Sequence, residues 1–226
     1  MAVNKVTTIQ EAISHVKDGD RIMVGGFGLR GCPDDLIDAL VAAHRKNLTI
    51  ISNDLGSPNI GLGRLLTENC IKALIGTFYN WNYDVAEAKN SGRIEATLVP
   101  QGTFAESIRA AGCGIPAYYT LVSAGTELGE GKEIHKFTVD GIEREYVLEH
   151  AIYADVALIK AAAADTLGNL IYYRSARNFN PAMAMAAKYT IAQVDKIVEP
   201  GELDPENIVT PHLFVNAVVL GGGKQC

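Results

Sequence analysis

The chain has 226 residues, with 20 Lys and Arg against 26 Asp and Glu and a formal net charge of −6 at pH 7. This length fits one α/β domain, and we expect residues 1–226 to form a single domain. The acidic balance and the scattered charges argue against nucleic acid and against an anionic membrane surface as partners. The longest apolar stretch, residues 154–164, contains Asp155 and Lys160 and falls short of the roughly 18 residues that span a bilayer. Because residues 1–5 also lack an apolar signal core, we expect a cytoplasmic protein.

The cysteines and histidines show no spacing typical of a metal site or a disulfide framework. Cys32, Cys70, Cys113 and Cys226 include no C-x-x-C pair, which predicts buried free thiols. The five histidines are scattered, with no pair at metal-ligand spacing on one helix face. We therefore predict no metal site.

Helix and strand signals alternate along the chain. Four segments carry helix-start signals: a capping box, a first-turn proline, a second Thr-x-x-Glu box and an Asn-Pro pair. They predict helices over residues 9–17, after Pro33, over 103–111 and from Asn180-Pro181 onward. Short apolar runs predict buried strands at residues 22–24, 48–52, 70–75, 94–99 and 156–159. This alternation predicts an α/β fold with a mostly parallel open sheet and helices on both faces.

One segment departs from this alternation. Residues 134–139 and 142–147 are strand-like and flank Asp140-Gly141, a strong signal for a two-residue hairpin. We predict an antiparallel hairpin excursion near residues 134–147.

A glycine-rich loop follows the first predicted strand. Glycine permits positive φ and close backbone approach, and the amides of such a loop need partners from water, side chains or a ligand. Loops at this place in a sheet commonly carry function. We interpret the loop as a ligand-facing segment made of Gly25, Gly26, Phe27, Gly28, Leu29, Arg30 and Gly31.

Polar side chains follow two further predicted strands. In open parallel sheets ligands lie at the carboxyl ends of strands, so Asn53, Asp54 and Gln101 should meet the glycine loop in one crevice. Amides polarise a carbonyl group but are weak nucleophiles. Asn53 and Asp54 have an alternative role as turn formers. The polar cluster of Arg174, Arg177 and Asn178 fits either an ion-pair network or substrate positioning.

The loop also matches the dinucleotide-binding pattern G-x-G-x-x-G over residues 26–31, with Asp54 following the second strand. However, Pro33 places the helix start after the motif, whereas a dinucleotide fingerprint opens its helix within the motif. Asp34 and Asp35 in the first turn would repel a diphosphate. We therefore expect the loop to approach a neutral or carbonyl-bearing group, and we expect no tight binding of NADH or NADPH.

Residues 18–33 resemble the signature of the α subunits of family I 3-oxoacid CoA-transferases: an Asp-Gly turn, an apolar triplet, Gly-Gly-Phe, three residues, Gly, any residue and Pro. The resemblance covers nearly the whole chain. Its other motifs are Pro100-Gln101-Gly102-Thr103 and the segments 109–116, 146–149, 154–160 and 176–181. The short connection over 125–132 is similar to the acetate/butyrate–acetoacetate type.

This resemblance implies a ping-pong CoA transfer through a glutamyl-CoA thioester. The nucleophilic glutamate is expected on a separate β subunit, within Ser-Glu-Asn-Gly, in an α2β2 assembly. In this chain Asn53 replaces the nucleophile, and Asp54 departs from the Asn-Asn pair of many family members. The family pattern places Gln101 near the reacting thioester and residues 25–31 in contact with CoA. CoA and acyl-CoA would be substrates, with no tightly bound cofactor.

The acyl donor and acceptor stay open between acetate, butyrate, 3-oxoadipate and other 3-oxo acids. Two other functions are possible on the residues alone: a dinucleotide-dependent oxidoreductase and a catalytically silent binding or scaffold protein. A partner chain bearing Ser-Glu-Asn-Gly that creates CoA-exchange activity would distinguish them from a CoA-transferase.

Overall fold

The computed structural model describes residues 4–222. Its strands in chain order are β1 Arg21–Val24, β2 Leu48–Ile51, β3 Ile71–Gly76, β4 Glu95–Leu98, β5 Ala117–Thr120, β6 Ile134–Val139, β7 Ile142–His150, β8 Ala154–Asp165, β9 Leu170–Ile171, β10 Ala187–Val198 and β11 Ala217–Leu220. Its α-helices are α1 Ile9–Ser14, α2 Asp34–Ala42, α3 Gly63–Thr67, α4 Tyr83–Asn90, α5 Gln101–Gly112 and α6 Asn180–Ala186.

Within the described residues, the large sheet has the order β11-β10-β8-β1-β2-β3-β4 with every neighbouring pair parallel, and β9 adds to β8 in the antiparallel direction. Alternate residues of a strand point to opposite faces. Ile22 and Val24 accordingly pack on the face covered by α1 to α4, while Met23 packs with Phe104 and Met183 of α5 and α6 on the other. The predicted fold class, a mostly parallel sheet covered on both faces, is confirmed.

The order of the strands reverses beside β1. The chain runs outward from β1 through β2 and β3 to β4, and later returns to the other side of β1 with β8 and β10. Ligands of open α/β sheets lie outside the carboxyl ends of the strands at such a switch point. The loop after β1 is at this position.

The hairpin prediction is also confirmed. β6 and β7 pair around Asp140 and Gly141, whose φ values of 54° and 76° fit the type of turn that twists with the strands. β5 pairs with β7 and completes a three-stranded antiparallel sheet.

Helix α1 begins at Ile9 as predicted, but its capping box and its end differ from the prediction. In α1, Thr8 Oγ1 accepts from the Glu11 amide at 3.2 Å, but Glu11 Oε2 accepts from Thr7 Oγ1 instead of reaching back to Thr8. The helix ends at Ser14 because the next amides bond three residues back.

The predicted start of α5 at Thr103 is wrong. The Phe104 amide bonds the Pro100 carbonyl at 2.8 Å, so the helix begins two residues earlier, at Gln101. Thr103 is buried inside the helix, and its hydroxyl has no hydrogen-bond partner among the described atoms. The correction matters because Gln101 becomes the first residue of α5.

The cysteine prediction is partly correct. Cys70 is a buried free thiol, Cys32 is half-buried, and Cys113 is a free thiol on the surface. Cys226 lies outside the described residues. Over residues 4–222, no helix combines the length and apolarity needed to cross a membrane, and no cluster of three His, Cys, Asp or Glu side chains could hold a metal ion.

Candidate active site

Four polar side chains form a connected network at the carboxyl ends of β2, β3 and β4, which we call the polar floor: Asn53, Asp54, Thr77 and Gln101. Asn53 Oδ1 accepts from Gln101 Nε2 at 3.2 Å and from Thr77 Oγ1 at 2.9 Å. The Asn53 carbonyl also accepts from the amides of Thr77 and Phe78. The pairing of β2 with β3 therefore extends into the site and fixes these side chains.

Asp54 is buried, and both of its carboxylate oxygens are occupied. Oδ2 accepts from the Gly28 amide and from Asn53 Nδ2, each at 2.8 Å, while Oδ1 accepts from the Gly56 amide at 2.9 Å. Asn53 and Asp54 are thus more than turn formers, since they link the floor to the glycine loop. A carboxylate held by three donors is poorly available to attack a substrate.

The amides of the glycine loop are largely satisfied inside the chain. Gly26 donates to Asn178 Oδ1 at 3.1 Å, Gly28 to Asp54, and Phe27 and Arg30 bond each other's carbonyls at 3.0 and 3.1 Å. Segment 176–180 thus clamps the loop from the β8 side of the sheet. The sequence alone did not identify the hydrogen-bond acceptors of the loop amides. In the structure these acceptors are mainly groups of the protein itself.

Close approach to this clamp explains two of the glycines. A Cβ at Gly25 would lie 1.8 Å from Asn180 Oδ1, and one at Gly31 would lie 2.3 Å from the Ala176 carbonyl. Gly31 also has φ of 68°, which favours glycine.

The Asn180-Pro181 pair does start helix α6, but Asn180 is the first helical residue and its side chain does not cap the helix. That side chain instead accepts a hydrogen bond from the Lys160 amide and donates one to the Gly31 carbonyl.

The cluster of Arg174, Arg177 and Asn178 separates into two parts. Both arginines are exposed, and neither forms an ion pair within residues 4–222; Arg174 lies over the Tyr173 ring instead. The ion-pair network is therefore not formed. Asn178 shapes the glycine loop.

A cavity of about 280 Å³ opens above the polar floor. Its other wall is made of three aromatic side chains, Phe27, Phe78 and Trp81, which we call the aromatic rim. Leu29 and Arg30 extend from the loop as exposed side chains and do not line this cavity. The site residues that the sequence predicted therefore divide between the cavity and the surface of the loop beside it.

The electrostatics of the cavity favour a developing negative charge. Gln101 is both a lining residue and the first residue of α5, a 12-residue helix whose first amides carry partial positive charge. Tyr79 lies close by, but burial, with a smaller contribution from Asp54, raises the pKa of its phenol well above the usual value. The phenol therefore stays protonated and supplies no nucleophile at neutral pH.

Sequence reasoning missed Thr77, Phe78 and Trp81. Thr77 and Phe78 follow β3, so the rule that identified Asn53 and Gln101 at strand ends would have found Thr77 as well. Trp81 carries no such signal, because its place in the cavity depends on the turn that precedes α4.

The dinucleotide alternative does not fit this geometry. α2 begins at Asp34, three residues beyond Gly31, so its N-terminus does not open within the glycine motif. The loop amides that would meet a pyrophosphate already bond Asn178 and Asp54. The fold and site instead define an α/β protein with a polar and aromatic cavity at the carboxyl ends of its parallel strands, next to the loop at the switch point of the sheet.

Comparison with known proteins agrees with this class and narrows it. A family model described as Coenzyme A transferase matches residues 6–221, and the chain belongs to this family. It is 48% identical over 220 residues to the A-type subunit of the probable succinyl-CoA:3-ketoacid coenzyme A transferase of Bacillus subtilis, covering 97% of this chain and 91% of that protein. It is 49% identical over 224 residues to the A-type subunit of the 3-oxoadipate CoA-transferase of Pseudomonas putida, covering 98% and 95%. Both of these relatives are A-type subunits, and this chain matches each of them over nearly its whole length.

Solved structures share the fold. The acyl-CoA transferase YdiF of Escherichia coli O157:H7 superposes with a TM-score of 0.84 at 23% identity, covering 100% of this chain and 49% of that one. Glutaconate coenzyme A-transferase of Acidaminococcus fermentans gives 0.82 at 22% identity, covering 96% and 75%. This chain thus spans about half the length of the Escherichia coli chain.

Proposed function

We propose that this chain is the non-nucleophilic subunit of a two-chain CoA-transferase that moves CoA between a short-chain acyl-CoA and a carboxylic or 3-oxo acid. One observation carries the proposal. Among the described residues that line the cavity, the sole carboxylate is Asp54, and both of its oxygens are held by donors of this chain. We therefore assign the attacking carboxylate to another polypeptide.

The chemistry divides between the two chains. A glutamate of the partner β subunit, within Ser-Glu-Asn-Gly, attacks the thioester carbonyl and expels the CoA thiolate, which leaves a mixed anhydride between the acyl group and that glutamate. The thiolate then attacks the glutamyl carbonyl of this anhydride, which forms the glutamyl-CoA thioester and releases the acyl group as its carboxylate. The second acid reverses these steps. CoA and acyl-CoA are substrates, and no tightly bound cofactor is needed.

Gln101 is the catalytic residue that this chain supplies. Its amide has two N–H donors, one of which bonds Asn53 Oδ1, so the other is left for the oxygen of the reacting carbonyl. Together with the N-terminus of α5 it stabilises the negative charge that develops there, an effect of about 3 to 4 kcal/mol for a well-placed donor. Asn53 and Asp54 are positioning residues for this amide and for the loop.

The glycine loop contributes through its side chains more than its amides. Gly26 and Gly28 donate inside the chain, so the exposed side chains of the loop are the groups that meet the substrate. Phe27, in the cavity wall, meets the acyl chain, and Leu29 and Arg30, outside the cavity, meet CoA. Gly25 and Gly31 give the loop its shape. Gln101 and the N-terminus of α5, and not the amides of Gly26 and Gly28, are therefore the donors to the charged oxygen.

We expect acetate or butyrate and acetoacetate as reactants, an α2β2 assembly and a cytoplasmic location. The similar proteins whose names include succinyl-CoA, 3-ketoacid or 3-oxoadipate support a 3-oxo acid as one partner in the exchange. Their names also designate them as one lettered subunit of an enzyme, which supports a second, different chain.

The division of labour can be tested directly. The chain alone should show no CoA exchange between acetoacetyl-CoA and acetate or butyrate, and addition of the Ser-Glu-Asn-Gly partner should create it. Peptide mass spectrometry after incubation with acyl-CoA should find the CoA adduct on the partner glutamate. Exchange by this chain alone, or an adduct on it, would contradict the proposal.

Gln101→Ala in the assembled enzyme should lower kcat at least tenfold, because the charged oxygen loses its side-chain donor. Gln10→Ala, which alters an exposed glutamine on α1, is the matched control and should leave turnover unchanged. Unchanged turnover in Gln101→Ala would reject the role of that amide.

A further inference from the structure

The aromatic rim is an exposed apolar surface beside the reacting end of the cavity. Trp81 is 60% exposed, Phe27 48% and Phe78 36%, and the Phe78 and Trp81 rings meet edge to face with centroids 5.4 Å apart. The Trp81 ring also lies 3.3 Å from the point where a Cβ on Gly28 would stand. The rim therefore closes against the glycine loop while the ring surfaces stay accessible.

The cavity contains no positive charge that the described part of this chain supplies. Its lining there consists of the aromatic rim and the polar floor, and the one charged member, Asp54, is negative. A second carboxylate on a substrate would meet aromatic surface and a like charge with no cation to pair with, which is unfavourable. An alkyl chain would instead gain from burial against the rings.

We propose that the aromatic rim receives the carbon chain of the carboxylic acid and selects monocarboxylic acids with an uncharged chain over dicarboxylic acids, with Trp81 as the specificity-determining side chain. This inference rests on the proposed CoA-transferase function. Succinate and 3-oxoadipate each carry a second carboxylate, so this chain should use them poorly, although the names of similar proteins include succinyl-CoA or 3-oxoadipate.

The size of the cavity agrees with this assignment. At about 280 Å³ it lies just below the range typical of pockets for drug-sized ligands, so it fits a chain of a few carbon atoms and not a nucleotide. Burial of one methylene changes affinity by about fourfold, so two methylenes should favour butyrate over acetate by roughly fifteenfold.

Butyrate and succinate are the decisive pair, because they have equal carbon counts and differ in a terminal methyl against a terminal carboxylate. With the assembled enzyme and acetoacetyl-CoA as donor, kcat/KM for butyrate should exceed that for succinate at least tenfold. Trp81→Ala should reduce the butyrate-to-acetate ratio to below threefold, Trp81→Phe should keep most of it, and Trp81→Arg should shift preference toward succinate. Tyr83→Ala, which removes a 72% exposed ring outside the cavity, is the matched control and should change no ratio.

A binding measurement separates specificity from turnover. Trp81 is the single tryptophan of the chain, so the difference in emission between the wild-type assembly and Trp81→Phe reports on this ring. Butyrate should change that emission, and succinate should not at the same concentration. Equal kcat/KM for the two acids, or a Trp81→Ala variant with an unaltered butyrate-to-acetate ratio, would overturn the inference while leaving CoA transfer intact. Absence of exchange with every acid would instead reject the proposed function.

Discussion

The two walls of the cavity are built on opposite physical principles. The polar floor is fixed by hydrogen bonds that join three strand ends, and Asn53 and Asp54 within it are buried. The aromatic rim is exposed: the Phe78 and Trp81 rings meet edge to face, and the Trp81 ring packs beside Gly28 of the loop. Rigid donors suit the stabilisation of a charge whose position never changes, whereas an accessible apolar wall suits discrimination between carbon chains. Chemistry and specificity can therefore vary independently in this fold.

The largest expected effect comes from disturbing the contact between segment 176–180 and the glycine loop. Gly25→Ala would place a methyl group 1.8 Å from Asn180 Oδ1 and should lower the free energy of unfolding by about 3 kcal/mol, because a well-packed interior has to shift. Urea unfolding of the assembled enzyme measures this. Gly102→Ala, with nothing within 4 Å of the new Cβ, should be neutral or stabilising. Equal midpoints for Gly25→Ala and the wild type would show that the loop adapts and that the clamp is not rigid.

A smaller effect is expected from loosening the floor without unfolding it. Thr77→Val removes the hydroxyl that donates to Asn53 Oδ1 and should free Asn53 to reorient, so that Gln101 is no longer held. We expect kcat to fall about tenfold, equivalent to about 1.4 kcal/mol, while KM for acyl-CoA changes less than threefold. Thr77→Ser should restore turnover.

Thr138→Val, on the exposed strand β6, provides the comparison for that substitution and should have no effect on kcat. If Thr77→Val also leaves kcat intact, the floor does not orient the catalytic amide.

The smallest effect is expected on the other side of the sheet, at the amino ends of its parallel strands. Asp155 at the start of β8 accepts from Lys188 Nζ at 2.8 Å and from the Arg21 amide at 3.0 Å, and these contacts lower the pKa of its carboxyl. A carboxyl with a lowered folded pKa stabilises the protein above the ordinary aspartate pKa of about 4, and this contribution is lost as pH falls through the folded value. The stability gap between wild type and Asp155→Asn should thus be largest at neutral pH and shrink toward pH 3, with neutral-pH turnover unaffected.

Urea midpoints at pH 7 and pH 3.5 measure that gap. Asp140→Asn, in the exposed hairpin turn, controls for the change in net charge. A stability gap that is constant with pH would show that ionisation of Asp155 does not stabilise the fold. A loss of turnover in Asp155→Asn would show that the amino ends of the strands are coupled to the cavity.

The sequence predicted the floor better than the rim or the clamp. Parallel strands bring their carboxyl ends to one edge, so Asn53, Asp54 and Gln101 could be placed together on the assumption that strands consecutive in the chain are neighbours. Trp81 could not, because its position depends on an irregular turn before α4. The clamp depends on β8 lying beside β1, and apolar patterns do not specify which strands become neighbours.

The helix-start signals show a related limit. A Thr-x-x-Glu pattern marks a helix start in one place and the interior of a helix in another, and Thr103 is an interior case because Pro100 starts α5 earlier. The same local motif can therefore cap a helix or lie inside one, depending on the residues that flank it. Thr8, with no such competing start signal, does act as the N-cap of α1.

The bond from the Gly26 amide to Asn178 joins residues 152 positions apart, which has a consequence for how the chain folds. Contacts between residues so far apart in the chain cost much loop-closure entropy, so they form late in folding. During synthesis β1 to β4 can assemble before Asn178 and Asn180 emerge, but residues 25–31 then lack the side chains that define their path. The binding surface of this protein thus matures only when the second half of the sheet docks onto β1.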